Sequence, residues 1–273
     1  MEGIFAIWQR DVIKFTRDRA RLLGSFAMPV MFLLIFGSGM SGTMKFMLSA
    51  GGGSPDFDYV SFIFPGIVAM TLLTTSIFSS LSVIQDKEFG YMREILVSPI
   101  SRVNIAIGKV LGGATVALLQ GLLMFLLVPL IGVEVQWSSI FLLIPVMFLI
   151  SSALSSLGLL IASTLTSTEG FQFIVQILIM PMIFLSGALF PINNMPAWMD
   201  FLVKINPVTY GVDLMKKIML DVGSMPELVR EAMGLNLTVM NHQVTMFEEV
   251  LFIMIFTAVL IFFATIQFRR NNA

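Results

Sequence analysis

The sequence predicts an all-α membrane protein with six transmembrane helices, and the evidence is its composition and its spacing of charges. Hydrophobic residues make up 57% of the 273 residues and charged residues only 12%, whereas a soluble domain carries roughly 25% charged residues. The mean hydropathy is +0.92. So few charges cannot cover a soluble surface or keep a chain disordered, and we therefore expect the lipid bilayer to be the solvent.

Six stretches without Asp, Glu, Lys or Arg are long enough to cross a membrane, which takes about 20 mostly apolar residues. They are continuously apolar rather than alternating, which favours helices over a β-barrel. The fifth is expected to span the membrane from Phe171 as far as Phe190, with a kink at Pro181. The six stretches are Leu22–Met44, Tyr59–Gln85, Val110–Val133, Val135–Thr168, Gly170–Met199 and Val250–Phe268.

The basic residues predict that both termini lie in the cytoplasm of a multi-pass protein of the plasma or inner cell membrane. Six spans place both termini on one side, and Lys and Arg are enriched on the cytoplasmic side of membrane proteins. With the N-terminus inside, eleven Lys and Arg residues fall on the inner side and five on the outer side.

Residues 1–21 are expected to form an amphipathic helix along the inner membrane surface. Asp11 and Asp18 lie among its basic residues and argue against a signal peptide. An ordinary solvated helix is the alternative. The two faces consist of Phe5, Trp8, Val12 and Phe15 on the apolar side and Arg10, Lys14, Arg17 and Arg21 on the basic side.

The inner loop between the second and third spans, residues 83–109, carries an apolar stripe that has no partner within so short a loop. Pro99 is expected to end the helix that carries this stripe, and Ser101 to cap the next helix. The stripe therefore lies on the membrane or docks another protein. It consists of Phe89, Met92, Ile95 and Leu96.

The outer segment, residues 190–249, is expected to form short re-entrant helices followed by a small cap. Pro191 and Pro207 fix backbone angles and remove amide donors, which favours short stiff pieces. Asn206 precedes a proline and is expected to cap the following helix, with Tyr210 one turn into it. We expect these four residues to form an outer gate; a seal against lipid headgroups is the alternative.

Several kinds of chemistry are excluded by the residues that the sequence lacks. With no cysteine and one histidine, His242, the chain has no disulfide, no thiol catalysis and no ordinary zinc site. The six apolar stretches hold no acid or base, which argues against a membrane hydrolase and against an ion-coupled carrier. The serine pairs Ser151-Ser152 and Ser155-Ser156 are expected to be packing sites between helices.

No phosphate-binding Gly-x-x-x-x-Gly-Lys-Ser/Thr motif is present either. We therefore expect the chain to bind no cofactor and not to be an enzyme, so that ATP and magnesium belong to a partner subunit. The net charge of −1 argues against a nucleic-acid partner.

Two motifs resemble those of the permeases of type 2 ABC exporters. The outer motif is Asn206-Pro207-x-Thr209-Tyr210, which follows Phe190-Pro191. The resemblance extends over essentially the whole chain, residues 1–273, as one permease domain of the type V exporter fold, and the daunorubicin-resistance-like branch is most similar in size. The inner motif is Gln85-Asp86-Lys87-Glu88-Phe89-Gly90-Tyr91-Met92-Arg93-Glu94-Ile95-Leu96 followed by Ser98-Pro99-Ile100-Ser101-Arg102.

This resemblance implies a multidrug-efflux permease that a separate P-loop ATPase drives. Two permeases, identical or closely paralogous, pair within membrane lipid and bind two ATPase subunits. The loop after the second span forms the coupling helix, and the N-terminal helix helps to hold it. The implied substrate is a hydrophobic or amphipathic small molecule or a lipid-like compound. The expected ATPase-coupling residues are Asp86, Glu88, Phe89, Gly90, Arg93 and Glu94.

The resemblance also implies that the second and fifth spans face the two-fold axis and form the translocation path. Ordinary helix packing explains the same residue pattern. Two other functions stay open, a membrane anchor or assembly factor and an ion-coupled carrier or channel. The expected path residues are Thr71, Thr74, Thr75 and Phe78 on the second span and Gln176, Met180 and Phe184 on the fifth.

Overall fold

A computed structural model describes the chain as a bundle of α-helices, which confirms the all-α prediction. The only strands in the described part of the chain are two residues long and pair as an antiparallel hairpin. The described residues are 2–17, 27–35, 59–92, 100–133, 137–192, 195–220 and 242–270, with shorter pieces at 24, 37, 39, 42, 97, 235 and 237–239.

The helices differ in length from about one turn to nearly eight turns, and residues 27–35 are helical as well. A single 3₁₀ turn, Phe125–Leu127, joins the fourth helix to the fifth. The helices are α1 (Glu2–Arg17), α2 (Tyr59–Ser79), α3 (Leu81–Glu88), α4 (Arg102–Met124), α5 (Val128–Ile131), α6 (Trp137–Thr164), α7 (Thr168–Phe184), α8 (Ala197–Ile205), α9 (Pro207–Met219) and α10 (Met246–Arg270), and the strands are β1 (Thr238–Val239) and β2 (His242–Gln243).

Four helical stretches among the described residues are long and apolar enough to cross a membrane. They correspond to the second, third, fourth and sixth predicted spans. Most of the first predicted span, Leu22–Met44, lies outside the described residues, so the total of six stays a prediction. The four stretches are Tyr59–Glu88, which joins α2 and α3, Arg102–Leu127, Ser139–Thr164 and Met246–Gln267.

The fifth predicted span is shorter than expected. Helix α7 has 17 residues and ends at Phe184, so it is about 26 Å long and does not reach Phe190. The chain turns at residues 185–190, where Gly187 has a φ of +73° that favours glycine. The sequence of apolar residues continues through this turn, which is why composition alone overestimates the length of the helix.

Where the structure describes the inner loop, residues 83–109, most of it is helical, in agreement with the helix expected before Pro99 and the helix expected after Ser101. Helix α4 begins at Arg102, eight residues before the predicted span at Val110. The Ser101 hydroxyl accepts a hydrogen bond from the Asn104 N–H at 3.2 Å, which confirms the predicted cap. The charge-free stretch begins later only because Lys109 interrupts it, and Lys109 is buried inside the bundle.

Helix α2 is a central helix of the bundle, since 15 of its 21 residues are buried and it packs against α4, α6 and α9. Gly66 lies so close to the 185–190 turn that a Cβ atom there would collide with the carbonyl of Ala188. The Tyr59 hydroxyl donates to the carbonyl of Leu189 at 3.1 Å. The turn after α7 is therefore held directly on the centre of the bundle.

Small residues allow α2, α4 and α6 to approach one another closely. A Cβ atom at Gly113 would lie 2.7 Å from the Ser155 hydroxyl and would collide with that of Ser79. The hydroxyls of Ser152 and Ser156 donate to carbonyls of their own helix. The structure thus places the predicted serine cluster in a packing role.

We expect Gly66→Ala to destabilise the protein by about 1–3 kcal/mol, because the new methyl group must displace the Ala188 backbone. Thermal unfolding of the purified protein in detergent measures this as a lower apparent Tm. The matched control is Gly39→Ala, which adds the same methyl group where no atom lies within 4 Å. Equal unfolding temperatures for the two variants would contradict the close contact.

Candidate functional site

Asp86 in the last turn of α3 joins α1 and α4 through a cluster of ion pairs. Its Oδ2 accepts from Arg10 Nη2 at 2.7 Å and from Lys109 Nζ at 3.2 Å. Lys109 Nζ also lies 3.3 Å from Asp11 Oδ1, and its side chain is only 4% exposed. Burial alone lowers the pKa of Arg10, but its hydrogen bond with Asp86 and the nearby negative charges outweigh burial and raise this pKa. We call these four residues the ion-pair cluster.

Lys87, the next residue of α3, binds the C-terminal end of α6. The last carbonyls of an α-helix have no partner within the helix and attract positive charge. Lys87 therefore fixes the end of α3 to the end of α6. Its Nζ donates to the carbonyls of Ala162, Ser163 and Leu165 at 2.9, 3.0 and 3.0 Å.

Glu88 completes the series by binding the first residue of α7. Its Oε1 accepts from the Thr168 backbone N–H at 2.7 Å, and its Oε2 accepts from the Thr168 hydroxyl at 2.8 Å. A carboxylate at a helix N-terminus satisfies a free N–H and interacts favourably with the helix dipole. The last turn of α3 is therefore attached to α7 by a charge-assisted contact.

The expected ATPase-coupling residues accordingly fall into two groups. Asp86 is buried in the ion-pair cluster, whereas Glu88 is exposed and binds Thr168 at the surface of the chain, and the contact of both residues with an ATPase stays a prediction. Phe89 is 71% exposed, and Gly90 follows it with a φ of +82° and open space around it. Arg93 and Glu94 lie outside the described residues. Together with Tyr91, which is 56% exposed, Phe89 forms an apolar tip beside the buried charges.

Helix α1 packs along α4 through two glycines. A Cβ atom at Gly108 would lie 3.0 Å from Ile7, and one at Gly112 would lie 3.1 Å from Asp11. This four-residue spacing of glycines is a known close-packing pattern in membranes. It is visible in the sequence and could have predicted that α1 contacts α4. The basic flank of α1 faces α3, as Lys14 shows by donating to Gln85 at 3.1 Å.

At the opposite end of the bundle, Asn206 holds α7 and α9 together. Its Oδ1 accepts from the Val208 N–H at 3.1 Å, which confirms the predicted cap. Its Nδ2 donates to the carbonyl of Met182 in the last turn of α7 at 2.8 Å. Pro207 follows as the first residue of α9, where a proline costs no hydrogen bond. One amide side chain thus begins α9 and binds the end of α7.

Two more residues of α9 bind the turn that follows α7. Thr209 donates to the carbonyl of Leu185 at 3.2 Å, and Lys216 donates to that of Gly187 at 2.6 Å. The Lys216 ammonium also lies 3.6 Å from the centroid of the Phe62 ring on α2. Burial lowers the pKa of Lys216 to about 7, although the negative charge of Asp213 acts in the other direction and raises this pKa.

Tyr210 joins α9 to α8 and to α10. Its hydroxyl donates to the carbonyl of Lys204 at 2.7 Å, and its ring stacks on Phe252 with centroids 4.0 Å apart. Burial raises the pKa of Tyr210, and the charge of Glu249 adds to this effect. Pro191, the fourth expected gate residue, lies partly buried just after the turn.

Lys217 makes the second connection between α9 and α10. Its Nζ lies 2.7 Å from Asp213 Oδ2 and 2.5 Å from Glu249 Oε1, and it donates to the carbonyl of Val244. Burial alone lowers the pKa of Lys217, but the two carboxylates outweigh it and raise this pKa. The i, i+4 spacing of Asp213 and Lys217 in the predicted helix indicates this pair, whereas the sequence contains no signal that Glu249 joins it.

The expected path residues of α2 are mostly in the interior of the chain. Thr71 and Thr75 are buried, and Thr75 donates to Gln120 Oε1 on α4 at 2.8 Å. This corrects the expectation that they face an open cavity. Thr74 keeps partial exposure, and Phe78 packs edge-on against Phe171 of α7. Gln120 is the buried partner of Thr75, and the sequence does not show that these two neutral side chains bind each other.

The expected path residues of α7, by contrast, lie on an exposed face. Gln176 is exposed, and Met180 and Phe184 are 52% and 49% exposed. Phe173 and Ile177 extend the same face toward the N-terminus of α7. We call this set the α7 face. It is apolar apart from a glutamine, and it faces either lipid or another chain.

Comparison with known proteins identifies the family. Residues 2–220 match the family model of the ABC-2 type transporter. The chain belongs to the ABC-2 type transporter family. The matched region of this ABC-2 protein includes α1 to α9, and therefore the ion-pair cluster, the α7 face and Asn206.

Curated relatives of this ABC-2 protein are transport and nodulation proteins. Nodulation protein J of Rhizobium meliloti is 29% identical over 222 residues, which are 79% of this chain and 80% of the relative. The putative transport permease ycf38 of Cyanophora paradoxa is 26% identical over 78% of this chain and 72% of its own length. The probable multidrug ABC transporter permease YbhR of Escherichia coli is 36% identical over 61% of this chain and 46% of its own length.

We expect the stability of the protein to rise with pH above about pH 7 because of Lys216. The unfolded chain keeps this proton up to the ordinary pKa of 10.5, whereas the folded chain loses it near 7, so unfolding takes up a proton. The slope is at most about 1.4 kcal/mol per pH unit. Lys216→Met should remove this dependence of stability on pH. Thermal unfolding of both proteins between about pH 6 and pH 9 measures the difference.

The control for this measurement is Lys204→Met, which removes a lysine that is 27% exposed at the same end of the protein. Its unfolding temperatures should follow those of the unchanged protein at every pH. A pH profile of Lys216→Met parallel to that of the unchanged protein would contradict the low pKa of Lys216.

Proposed function

We propose that this chain is the membrane-spanning permease subunit of an ABC exporter, working as a pair and driven by a separate ATPase. The apolar tip, Phe89 and Tyr91, is the surface on which the ATPase docks. It lies on the cytoplasmic side of the cell membrane together with both termini, and α8 and α9 lie at the outer end. Membership of the ABC-2 family and the relative named as a multidrug permease support this function.

The observation that carries this proposal is that α7 is attached at both of its ends. At one end Glu88, next to the apolar tip, binds Thr168. At the other end Asn206 binds Met182, and two further residues of α9 bind the turn beyond. Among the described residues, the polar side-chain contacts of α7 with other helices lie at its two ends, and in the proposed mechanism α7 moves as one rigid body.

The mechanism follows from these contacts. A shift of the ATPase moves the apolar tip and with it the last turn of α3. Because Glu88 binds the first residue of α7, this shift tilts α7. The far end of α7 then moves α9 and, through Tyr210, α8, which opens or closes the outer end. The same movement changes the α7 face, so that substrate binding and outer opening respond to ATP.

The α7 face is the proposed wall of the translocation path. In a homodimer two such faces meet across the two-fold axis and enclose a mainly apolar space, to which α2 adds the partly exposed Thr74 and Phe78. Ligand sites commonly combine apolar walls with a few polar groups such as Gln176. This composition suits a hydrophobic or amphipathic small molecule, or one with a lipid-like chain.

We expect Glu88→Ala to lower substrate-stimulated ATP hydrolysis by about tenfold, because a charge-assisted hydrogen bond is worth about 1.5–3 kcal/mol. Thr168→Val should have a similar effect, and the double variant should be no worse than either one. The measurement is the ATPase activity of the reconstituted complex with its own P-loop ATPase, with and without substrate.

Glu169→Ala is the matched control for this cycle, since Glu169 is an exposed carboxylate in the same first turn of α7. It should leave stimulation unchanged. If the effects of Glu88→Ala and Thr168→Val simply add in a fully assembled complex, the two side chains do not act as one contact and the mechanism is wrong.

The dimer is tested by cysteine crosslinking, for which the chain offers a cysteine-free background. Met180→Cys should form a disulfide between two copies in the membrane, because the α7 face lies on the axis. Phe141→Cys, which is 80% exposed on α6, and the buried Thr75→Cys should not. Crosslinking at Phe141→Cys with none at Met180→Cys would place the axis elsewhere.

A further inference from the structure

An apolar recess lies on the side of α1 away from the ion-pair cluster, between α1, α4 and α6. Its volume is about 470 Å³, within the range of small-molecule sites. The indole N–H of Trp8 donates to the Thr115 hydroxyl at 2.9 Å, so the main polar groups of the lining satisfy each other. The lining residues are Ile4, Phe5, Trp8, Leu111, Thr115 and Phe148.

The depth of the recess follows from its place along α4. Leu111 and Thr115 come two and six residues after Lys109, so they lie about 3 and 9 Å beyond the ion-pair cluster along the helix. A buried charge cluster at the end of a membrane-crossing helix marks the boundary of the apolar region. Trp8 thus lies at the depth where tryptophan is enriched in membrane proteins.

The recess is continuous with the outer surface of two helices that are long and apolar enough to cross the membrane. On α4, Leu111, Thr115 and Leu119 follow one another at four-residue spacing along one face. On α6, Phe148 and Phe141 are seven residues apart and share a face as well. Leu119 is 37% and Phe141 80% exposed, and both lie on helical stretches that are long and apolar enough to cross a membrane.

We propose that this recess binds one acyl chain of a phospholipid from the leaflet beside α1. The chain enters along the seam between α4 and α6 and ends against Trp8. Acyl chains surround this surface, and an empty apolar recess would leave its lining without contact atoms. The bound chain fills the space between α1 and the bundle, so it supports the flank of α1 that the ion-pair cluster does not hold.

This site is independent of the proposed export function. The recess contains no residue of the α7 face, and none of the gate or of the apolar tip. The lipid is a structural ligand, and its loss should loosen α1 without removing any of the ion pairs.

Tryptophan fluorescence tests the proposal directly. In a Trp137→Phe, Trp198→Phe background, Trp8 is the only tryptophan of the chain. The purified protein in bromine-free detergent is titrated with phosphatidylcholine that carries bromine at carbons 9 and 10 of one chain. Bromine quenches tryptophan only at short range. We expect quenching that saturates near one lipid per chain and that unbrominated phosphatidylcholine reverses.

Leu111→Phe fills the recess and should abolish saturable quenching, and Ile4→Phe fills it from the α1 side if the first variant does not fold. Leu251→Phe makes the same change at an exposed position of α10, away from the recess and its seam, and should leave the quenching unchanged. Native mass spectrometry should show one retained phospholipid fewer per chain in the filled variants.

Three results would overturn the proposal. Quenching that rises in proportion to lipid mole fraction without saturation would show only bulk contact with lipid. Equal quenching in Leu111→Phe and Leu251→Phe would place the bound chain elsewhere. A change of oligomer mass in the filled variants, with retained lipid unaltered, would show that a second copy occupies the recess.

Discussion

The last turn of α3 is the point on which the rest of the structure depends. Three consecutive charged residues bind in three different directions, to α1 and α4, to the end of α6 and to the beginning of α7. Of these contacts only those of Asp86 are ion pairs, and its pair with Lys109 is buried, so removing either residue of that pair costs about 3 kcal/mol or more because the other charge loses its partner. The short helix next to the exposed tip therefore cannot move without moving its neighbours.

The lipid bilayer explains why charged contacts lie at the ends of the bundle and neutral polar contacts lie between them. Charged contacts lie at the two ends of the bundle, where α3 binds its neighbours and where α9 binds α7 and α10. Between these ends, polar contacts in the described residues are neutral, such as that of Thr75 with Gln120, or lie within one helix, such as that of Ser156. In hydrocarbon an uncompensated charge is far more costly than a neutral hydrogen bond. The middle of the bundle is thus free to shift while its ends are specifically attached.

How much of this the sequence predicts depends on the distance between partners along the chain. The caps at Ser101 and Asn206 are predictable because a cap bonds within three residues. The partners of Asp86 and Glu88 lie 76 and 80 residues away, and a local pattern shows that a residue is polar without showing what it binds. The sequence places Lys216 among the charges of the outer segment, whereas the structure buries its side chain. The carbonyl of Gly187, in the turn after α7, accepts the hydrogen bond of the buried ammonium group.

In the proposed mechanism, α7 and the α8–α9 pair move as one body when the ATPase binds nucleotide. Double electron–electron resonance on the assembled complex measures this with spin labels on Ile177→Cys and Phe201→Cys, both at exposed positions. A reference pair joins Ile177→Cys to Leu142→Cys on α6. We expect nucleotide to change the second distance and to leave the first unchanged. A change between α7 and α8, with α7 fixed relative to α6, would contradict the claim.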